Sequence, residues 1–316
     1  MEGIMSKILV MGGNQFLGKA LCESLLTLGH AVFALNRGNR KNIRDVFHIS
    51  VDRNEENQLK KALSGLEVDY IVDISGYEPL QVSILLESMK GNYKQYIYIS
   101  SASIYQEIQN IPAKEEDKIG ENSIWGDYAK NKFLSEQEIP KNIGNAKYTI
   151  FRPFYIYGIG NNLDREAYIF KRIEHNLPVY LPNDGKEKIQ FGYVEDLVHA
   201  IIYSFGKEEY YNEIFNVSGE EIVSIKEYVE LCAKAMKKAV EIRYFFLEDT
   251  KWKARDWFPF RNVNLFGNIE KLLSTGFQNQ YSLLSGLQKT YQFLKKNKML
   301  GFPELHEIEK IRRIKE

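Results

Sequence analysis

Cysteine is almost absent: Cys22 and Cys232 are the two in a chain of 316 residues, far apart and without metal-ligand spacing. Both fall in segments that read as amphipathic helices. They are expected as buried free thiols in a reducing compartment, with neither a disulfide framework nor a metal site. Net charge is absent too, since 42 basic side chains face 42 acidic ones. No overall field therefore draws the chain to nucleic acid or to an anionic membrane. No stretch approaches the roughly 18 uncharged apolar residues of a membrane span. The N-terminus offers only the short run Ile8 to Met11 before glycine, a buried strand and not a leader. A cytoplasmic protein is expected, with neither nucleic acid nor membrane as partner.

What is present is alternation. Apolar runs at 7–11, 31–36, 70–74, 95–100 and 148–151 alternate with helical patterns at 18–28, 57–63, 80–89 and 127–138. Apolar runs between helices mean strands buried on both faces, hence an α/β fold with a doubly wound parallel sheet. After Arg152 the pattern loosens around Gly158, Gly160, Pro178, Pro182 and Gly185. A helix at 194–205 and a strand at 214–217 are expected to return to the sheet. The reading is thus a nucleotide-binding domain over 1–160, rejoined by 189–218. A smaller, mostly helical C-terminal lobe takes 161–188 and 219–316. The tail, 304–316, reads as a charged, solvated terminal helix.

The first strand runs into Gly12-Gly13-Asn14-Gln15-Phe16-Leu17-Gly18, with a helix expected to open at Gly18. A dinucleotide site needs one glycine for the tight turn, room for backbone beside the pyrophosphate, and a glycine where helix packs on strand. Gly12, Gly13 and Gly18 supply most of this, while Gln15 stands at the usual middle glycine.

Further along, a strand ends Tyr96-Ile97-Tyr98-Ile99-Ser100-Ser101, and a helix opens with Tyr128-Ala129-Lys130-Asn131-Lys132. Tyr-x-x-x-Lys alone says little, because Tyr203 with Lys207 and Tyr291 with Lys295 fit equally well. Order decides, since Tyr128 is the one that follows a Ser-bearing strand end by a single loop. With the segments 152–158, 191–198, 214–217 and 257–261 in sequence, the chain resembles the extended short-chain dehydrogenase/reductase superfamily, within it the NAD-dependent epimerase/dehydratase family and its atypical branch. The resemblance spans nearly the whole chain. It implies a Rossmann fold, a substrate-binding lobe and an enzyme that moves hydride to or from a nicotinamide. Ser101, Tyr128 and Lys132 are its catalytic set. Tyr128 would exchange a proton with the substrate oxygen, a task that a neighbouring ammonium assists by favouring phenolate. Lys132 would supply that charge and hold the ribose, and Ser101 would hydrogen-bond the substrate oxygen.

The implied cofactor residues are Gly12, Gly13, Gln15, Phe16, Leu17, Gly18, Asn36, Arg37, Asp52, Arg53, Ser75, Gly76, Ser100, Tyr128, Lys132 and Pro153. Asn36 stands where an NAD enzyme usually has a carboxylate, and Arg37, Arg40 and Lys41 follow, so NADP is expected over NAD. The expected substrate is a nucleotide sugar, epimerised or reduced at a ring carbon, with Tyr77, Arg165, Gln190 and Arg261 on the substrate side, arginine suiting a diphosphate. A non-sugar ketone reductase and a non-catalytic NAD(P)- or RNA-binding member are the alternatives. Relatives that dehydrate hexose nucleotides follow their catalytic Thr with an Asp–Glu pair; Ala102 and Ser103 stand there and cannot titrate, so 4,6-dehydration is not expected. Tyr155 stands where many nucleotide-sugar enzymes have Asn. Relatives pair the helices corresponding to 80–89 and 127–138, so a homodimer is expected.

Overall fold

A computed structural model describes residues 5–106, 108, 111–249, 251–304 and 310–311. The expected tail helix lies outside the described residues apart from 304, 310 and 311. In chain order the elements are β1 (Lys7–Met11), α1 (Phe16–Thr27), β2 (Ala31–Asn36), β3 (Phe47–Ser50), α2 (Glu56–Leu63), β4 (Tyr70–Asp73), α3 (Pro79–Ser88), β5 (Gln95–Ile99), α4 (Asp127–Asn142) and β6 (Lys147–Pro153). There follow β7 (Tyr155–Tyr157), α5 (Glu166–Glu174), β8 (Val179–Pro182), β9 (Lys188–Tyr193), α6 (Val194–Tyr203), β10 (Glu213–Val217), β11 (Ile222–Ser224), α7 (Ile225–Met236), β12 (Ile242–Phe245), α8 (Glu270–Ser274) and α9 (Leu283–Lys296).

They group into two compact units. The first comprises Met1–Phe154, Val194–Val217 and Gly267–Gln278. Its sheet has seven strands in the order β10-β6-β5-β4-β1-β2-β3, every pairing parallel. Ile8 to Met11 are all fully buried, which is what a strand covered on both faces requires. On one face α2, α3 and α4 bury Leu59, Leu63, Val82, Leu85, Leu86 and Ile139 against Leu9, Met11, Tyr96 and Tyr98. α1 and α6 pack on each other. The chain reverses direction across the sheet between β1 and β4, and such a switch point opens a crevice beyond the carboxyl ends of the strands.

The second unit comprises Tyr155–Tyr193, Ser218–Phe266 and Asn279–Glu316. β9 pairs parallel with β7 and antiparallel with β11, and β8 pairs parallel with β12. The reading that 189–218 rejoins the main sheet therefore needs correction for 189–193: β9 finds its partners in β7 and β11, and the return begins at α6. Residues 267–278, expected in the lobe, belong to the first unit, where α8 packs on β10. α7 is fixed at its start by a capping box between Ser224 and Glu227. Tyr155, Phe191, Tyr228 and Phe260 form the aromatic centre of this unit, Phe191 stacking on Tyr228 at 4.0 Å between ring centroids.

Candidate active site

At the end of β1 the backbone turns through Gly12, whose φ of +91° excludes most side chains. Gly18 is required for a different reason: a Cβ there would sit 2.1 Å from the Gly12 carbonyl oxygen. The helix opens at Phe16, two residues before the expected Gly18, because the Gln15 carbonyl already accepts the N–H groups of Gly18 and Lys19. Phe16 carries a φ of +42°, an uncommon conformation for a bulky residue and one expected where surrounding structure imposes it. Gln15 is extended, so the loop accepts a side chain where the fingerprint has its middle glycine.

Around this loop, Asn36 accepts the Gly38 N–H through Oδ1 at 2.8 Å, and its buried Nδ2 has no hydrogen-bond partner. Arg37, Arg40, Lys41 and Arg44 follow, all exposed. Asp52 accepts both the backbone and side-chain N–H of Asn54 at 3.0 Å. Arg53 points inward: Nη1 and Nη2 donate to the two oxygens of buried Asp73 at 2.7 and 2.8 Å, and further to Ser75 Oγ and Gln81 O. Its expected side-chain contact with a cofactor is thus corrected, because the guanidinium is committed beneath the loops. Ser75 touches the Gly12 position, where a Cβ would lie 3.0 Å from its own Cβ.

Ser101 caps the short turn Ala102–Ile104 by accepting the Ser103 N–H with its Oγ, which leaves its hydroxyl proton for a ligand. Ala102 and Ser103 are buried. Asn122, not anticipated from the sequence, donates to the carbonyls of Ser103 and Tyr105 and accepts the Trp125 N–H, tying the Ser-bearing turn to the start of α4. Tyr128 projects from that start, 42% exposed, with the Tyr77 ring 6.5 Å from its own. Lys132, one turn on, is 1% exposed and donates to Gly76 O at 2.9 Å and Ile99 O at 2.7 Å. Its ammonium lies 4.7 Å from the Tyr98 ring centroid and 5.1 Å from that of Tyr77. Burial lowers its pKa to about 7, with Asp73 and Glu136 pulling upward and Arg53 downward. One more turn along α4, Glu136 forms a two-oxygen ion pair with buried Arg152 of β6, at 3.0 and 2.7 Å. Ser100 is buried, as is Pro153 at the end of β6.

The two competing Tyr-x-x-x-Lys pairs are committed locally. Tyr203 donates to Thr275 O, while Tyr291 donates to Glu174 and accepts from Lys295.

In the second unit, Gln190 is 1% exposed and donates to Gly219 O at 2.7 Å. That corrects its expected substrate contact, since it lies on β9 facing the interior. Arg165 stands just before α5 with its guanidinium 4.8 Å from the Tyr155 ring centroid and its Nε buried without a hydrogen-bond partner. Arg255, missed from the sequence, donates to the carbonyls of Phe258 and Pro259. Its pKa is lowered, first by desolvation and then by Arg165 and Arg261, so the three positive charges crowd one place. Next to Arg165 in the chain, Glu166 is buried and accepts from the Gly158 N–H and from Asn161. Burial pushes its pKa up to about 7.

The chain is 31% identical over 302 residues to the chloroplast stem-loop binding protein of 41 kDa b of Arabidopsis thaliana, covering 90% of this chain and 78% of that one. It is 26% identical over 263 residues to the uncharacterized UDP-glucose epimerase YtcB of Bacillus subtilis, covering 71% and 80%. Two solved structures share its fold. The UDP-glucuronic acid 4-epimerase of Bacillus cereus, in complex with UDP-glucuronic acid and NAD, has a TM-score of 0.75 at 19% identity and covers 92% of this chain and 99% of its own. The dTDP-glucose 4,6-dehydratase of Bacillus anthracis, in complex with NAD, has 0.77 at 17% identity and covers 94% and 100%. A family model matches residues 8–218, and with it the chain belongs to the NAD dependent epimerase/dehydratase family.

Proposed function

We propose that this enzyme oxidises and reduces a ring carbon of a nucleotide-linked sugar, as an epimerase or a ketone reductase, with Tyr128 as its acid and base. One observation carries the reading: exposed Tyr128 and fully buried Lys132 lie one turn apart on α4, and Lys132 donates to Ile99 O, two residues before a Ser101 whose Oγ is already oriented by the Ser103 N–H. The residues present fit a nicotinamide dinucleotide. Any Cβ at Gly18 would fill the space of the turn, and Asn36 Nδ2 is a buried donor without a partner. Gly12 to Gly18 would face the pyrophosphate, with Asn36 and Arg37 at the adenosine ribose and Lys132 and Pro153 near the nicotinamide end. When bound, the cofactor supplies the hydride acceptor and donor. Tyr128 moves the proton at the substrate oxygen, Ser101 donates a hydrogen bond to that oxygen, and Lys132 supplies the positive charge that favours phenolate. Arg165 and Arg261, joined by Arg255, would take the diphosphate.

Tyr128→Phe is expected to lower turnover by about 10²–10⁴-fold while leaving cofactor affinity nearly intact, whereas Tyr203→Phe and Tyr291→Phe retain activity. Mass spectrometry of the co-purifying ligand, then assays on a panel of nucleotide sugars, provide the substrate. Full activity in Tyr128→Phe sinks the mechanism. A 4-keto-6-deoxy product from a simple hexose nucleotide would overturn the exclusion of 4,6-dehydration that Ala102 and Ser103 support.

The reading extends to cofactor choice and assembly. Asn36 brings no repulsion to a 2′-phosphate and Arg37 is exposed beside it, which favours NADP. Arg37→Ala should then weaken NADP about tenfold and spare NAD; tighter native binding of NAD, unaffected by the change, excludes this. A homodimer would pair the outer faces of α3 and α4, on which Leu80, Glu87, Lys130 and Gln137 are exposed. Sedimentation as single chains at micromolar concentration excludes it.

A second reading, RNA binding, draws on the similarity to the stem-loop binding protein and on the exposed Arg37, Arg40, Lys41 and Arg44. Zero net charge weighs against it. A stem-loop RNA whose affinity falls steeply between low and moderate salt would favour it.

A further inference from the structure

Lys132 is a buried cation whose hydrogen bonds, at Gly76 O and Ile99 O, both go to uncharged carbonyls. A buried ammonium needs a countercharge or it gives up its proton. Two carboxylates influence it, Glu136 and Asp73. Glu136 has both oxygens engaged by Arg152. Asp73, fully buried at the end of β4, is bound from several directions at once. Arg53 grips both oxygens, Tyr96 donates to Oδ2 at 2.9 Å, and the Ser75 N–H donates to Oδ1 at 3.2 Å. These donors hold it ionised.

Asp73 also lies directly behind the peptide that Lys132 touches. A Cβ on Gly76 would come within 2.9 Å of Asp73 Oδ2, so glycine is what allows the loop to fold over the carboxylate. The Gly76 carbonyl then accepts both Lys132 Nζ at 2.9 Å and Tyr98 Oη at 2.7 Å. Through Ser75 the same pair reaches the position of Gly12, and through the Gln81 carbonyl it reaches α3.

We propose that Asp73 is a positioning residue for the catalytic lysine: acting across the Gly76 peptide, its carboxylate keeps Lys132 charged and aimed, while Arg53 moderates that influence and locks the surrounding loops. The inference rests on the proposed function only for its consequence, the charge beside Tyr128. The charged groups that act on Lys132 are Asp73 from the end of β4, Arg53 from the segment after β3 and Glu136 from α4, and the rings of Tyr77, after β4, and Tyr98, on β5, lie near its ammonium. Of these, Asp73 raises its proton affinity most, and Arg53 opposes it.

The test uses the full chain with ¹³Cε-labelled lysine, followed by NMR across pH, with Lys132 assigned by the signal missing from Lys132→Met. In the native protein its midpoint is expected near about 7. Asp73→Asn should lower proton affinity about tenfold or more, since it removes the nearby opposite charge. That variant leaves Arg53 buried without its partner and can fail to fold. The double variant R53M/D73N removes both charges, and its midpoint should fall between native and Asp73→Asn. An unchanged Lys132 midpoint in either folded variant overturns the role of Asp73. The readout involves no turnover, so a shifted midpoint supports the inference even if no nucleotide sugar is a substrate.

Discussion

The two units handle arginine in opposite ways: Arg53 and Arg152 of the first are buried, whereas in the second Arg165 and Arg261 are half-buried and Arg255 is exposed. In the first, Arg152 is gripped by Glu136 and Arg53 by Asp73, each through two short bonds to one carboxylate. In the second, Arg165 lies over the Tyr155 ring, and Arg255 donates to backbone carbonyls while the charges of Arg165 and Arg261 press on it. Charges matched within the chain hold its own structure together. Like charges that crowd one another favour the arrival of an anion, which is why the second set suits the proposed diphosphate and the first does not.

The sharpest way to break this contrast is to remove one partner of a matched pair. Arg152→Met strands Glu136 in the interior and also removes donors to Tyr105 and the Glu115 carbonyl. The expected loss is about 3–5 kcal/mol of folding stability, read from urea unfolding. A loss below about 1 kcal/mol would mean that the pair is not structural. Arg165→Met tests the other side. It should leave the free protein's unfolding nearly unchanged but weaken a nucleoside diphosphate about tenfold or more, the effect of one lost charge-assisted bond. Arg261→Met should do the same, and unchanged affinity in both would remove these arginines from the binding site.

The same contrast explains what was legible in the sequence. The glycine loop, the Ser-bearing strand end and the helix of Tyr128 and Lys132 are local patterns, because each needs only a strand, a turn and a helix in succession. Burial is not local. By position Arg53 and Gln190 read as ligand residues, yet the first turns under the loops and the second, on β9, faces the interior. Asp73 reads as an ordinary acidic strand end, and only the sheet brings it to Arg53 and Tyr96. Arg255 escaped because its neighbour Arg165 is remote in sequence and no motif joins them. Asn122 sits in a loop without periodicity. A signal did exist for Asp73: a lone carboxylate closing the apolar run Tyr70–Asp73 must find a cation, and Arg53 was available.

Glu166 gives a smaller effect that sharpens the reading of the second unit. Its folded pKa is raised to about 7 from 4.5, chiefly by burial, against bonds from Gly158, its own N–H and Asn161 and the charge of Arg165. The folded protein therefore holds a proton that the unfolded chain releases at lower pH. This contribution to stability is fully present below about 4.5 and is lost as pH rises through about 7. Glu166→Gln should flatten the dependence, so that the thermal midpoint falls less between those limits than in the native protein. An identical fall in both would place the titration elsewhere.

The smallest expected effect comes from the trio itself. Arg255 is pressed by Arg165 and Arg261, so replacing it with an uncharged side chain relieves repulsion in the free protein. Arg255 is exposed, so water replaces its bonds to the Phe258 and Pro259 carbonyls, and Arg255→Gln should raise stability slightly, by less than about 1 kcal/mol given solvent screening. Added salt should shrink the gain, because it already weakens the repulsion. With a nucleoside diphosphate present the sign should reverse, since the variant has one cation fewer for the ligand and gains less from its binding. Thermal melts of native and variant protein, each with and without the ligand at two salt concentrations, measure all of this. A structural arginine predicts a different outcome, a loss of stability in every condition. Stability that falls in Arg255→Gln without ligand would place Arg255 with Arg53 and Arg152, among the charges that hold the fold.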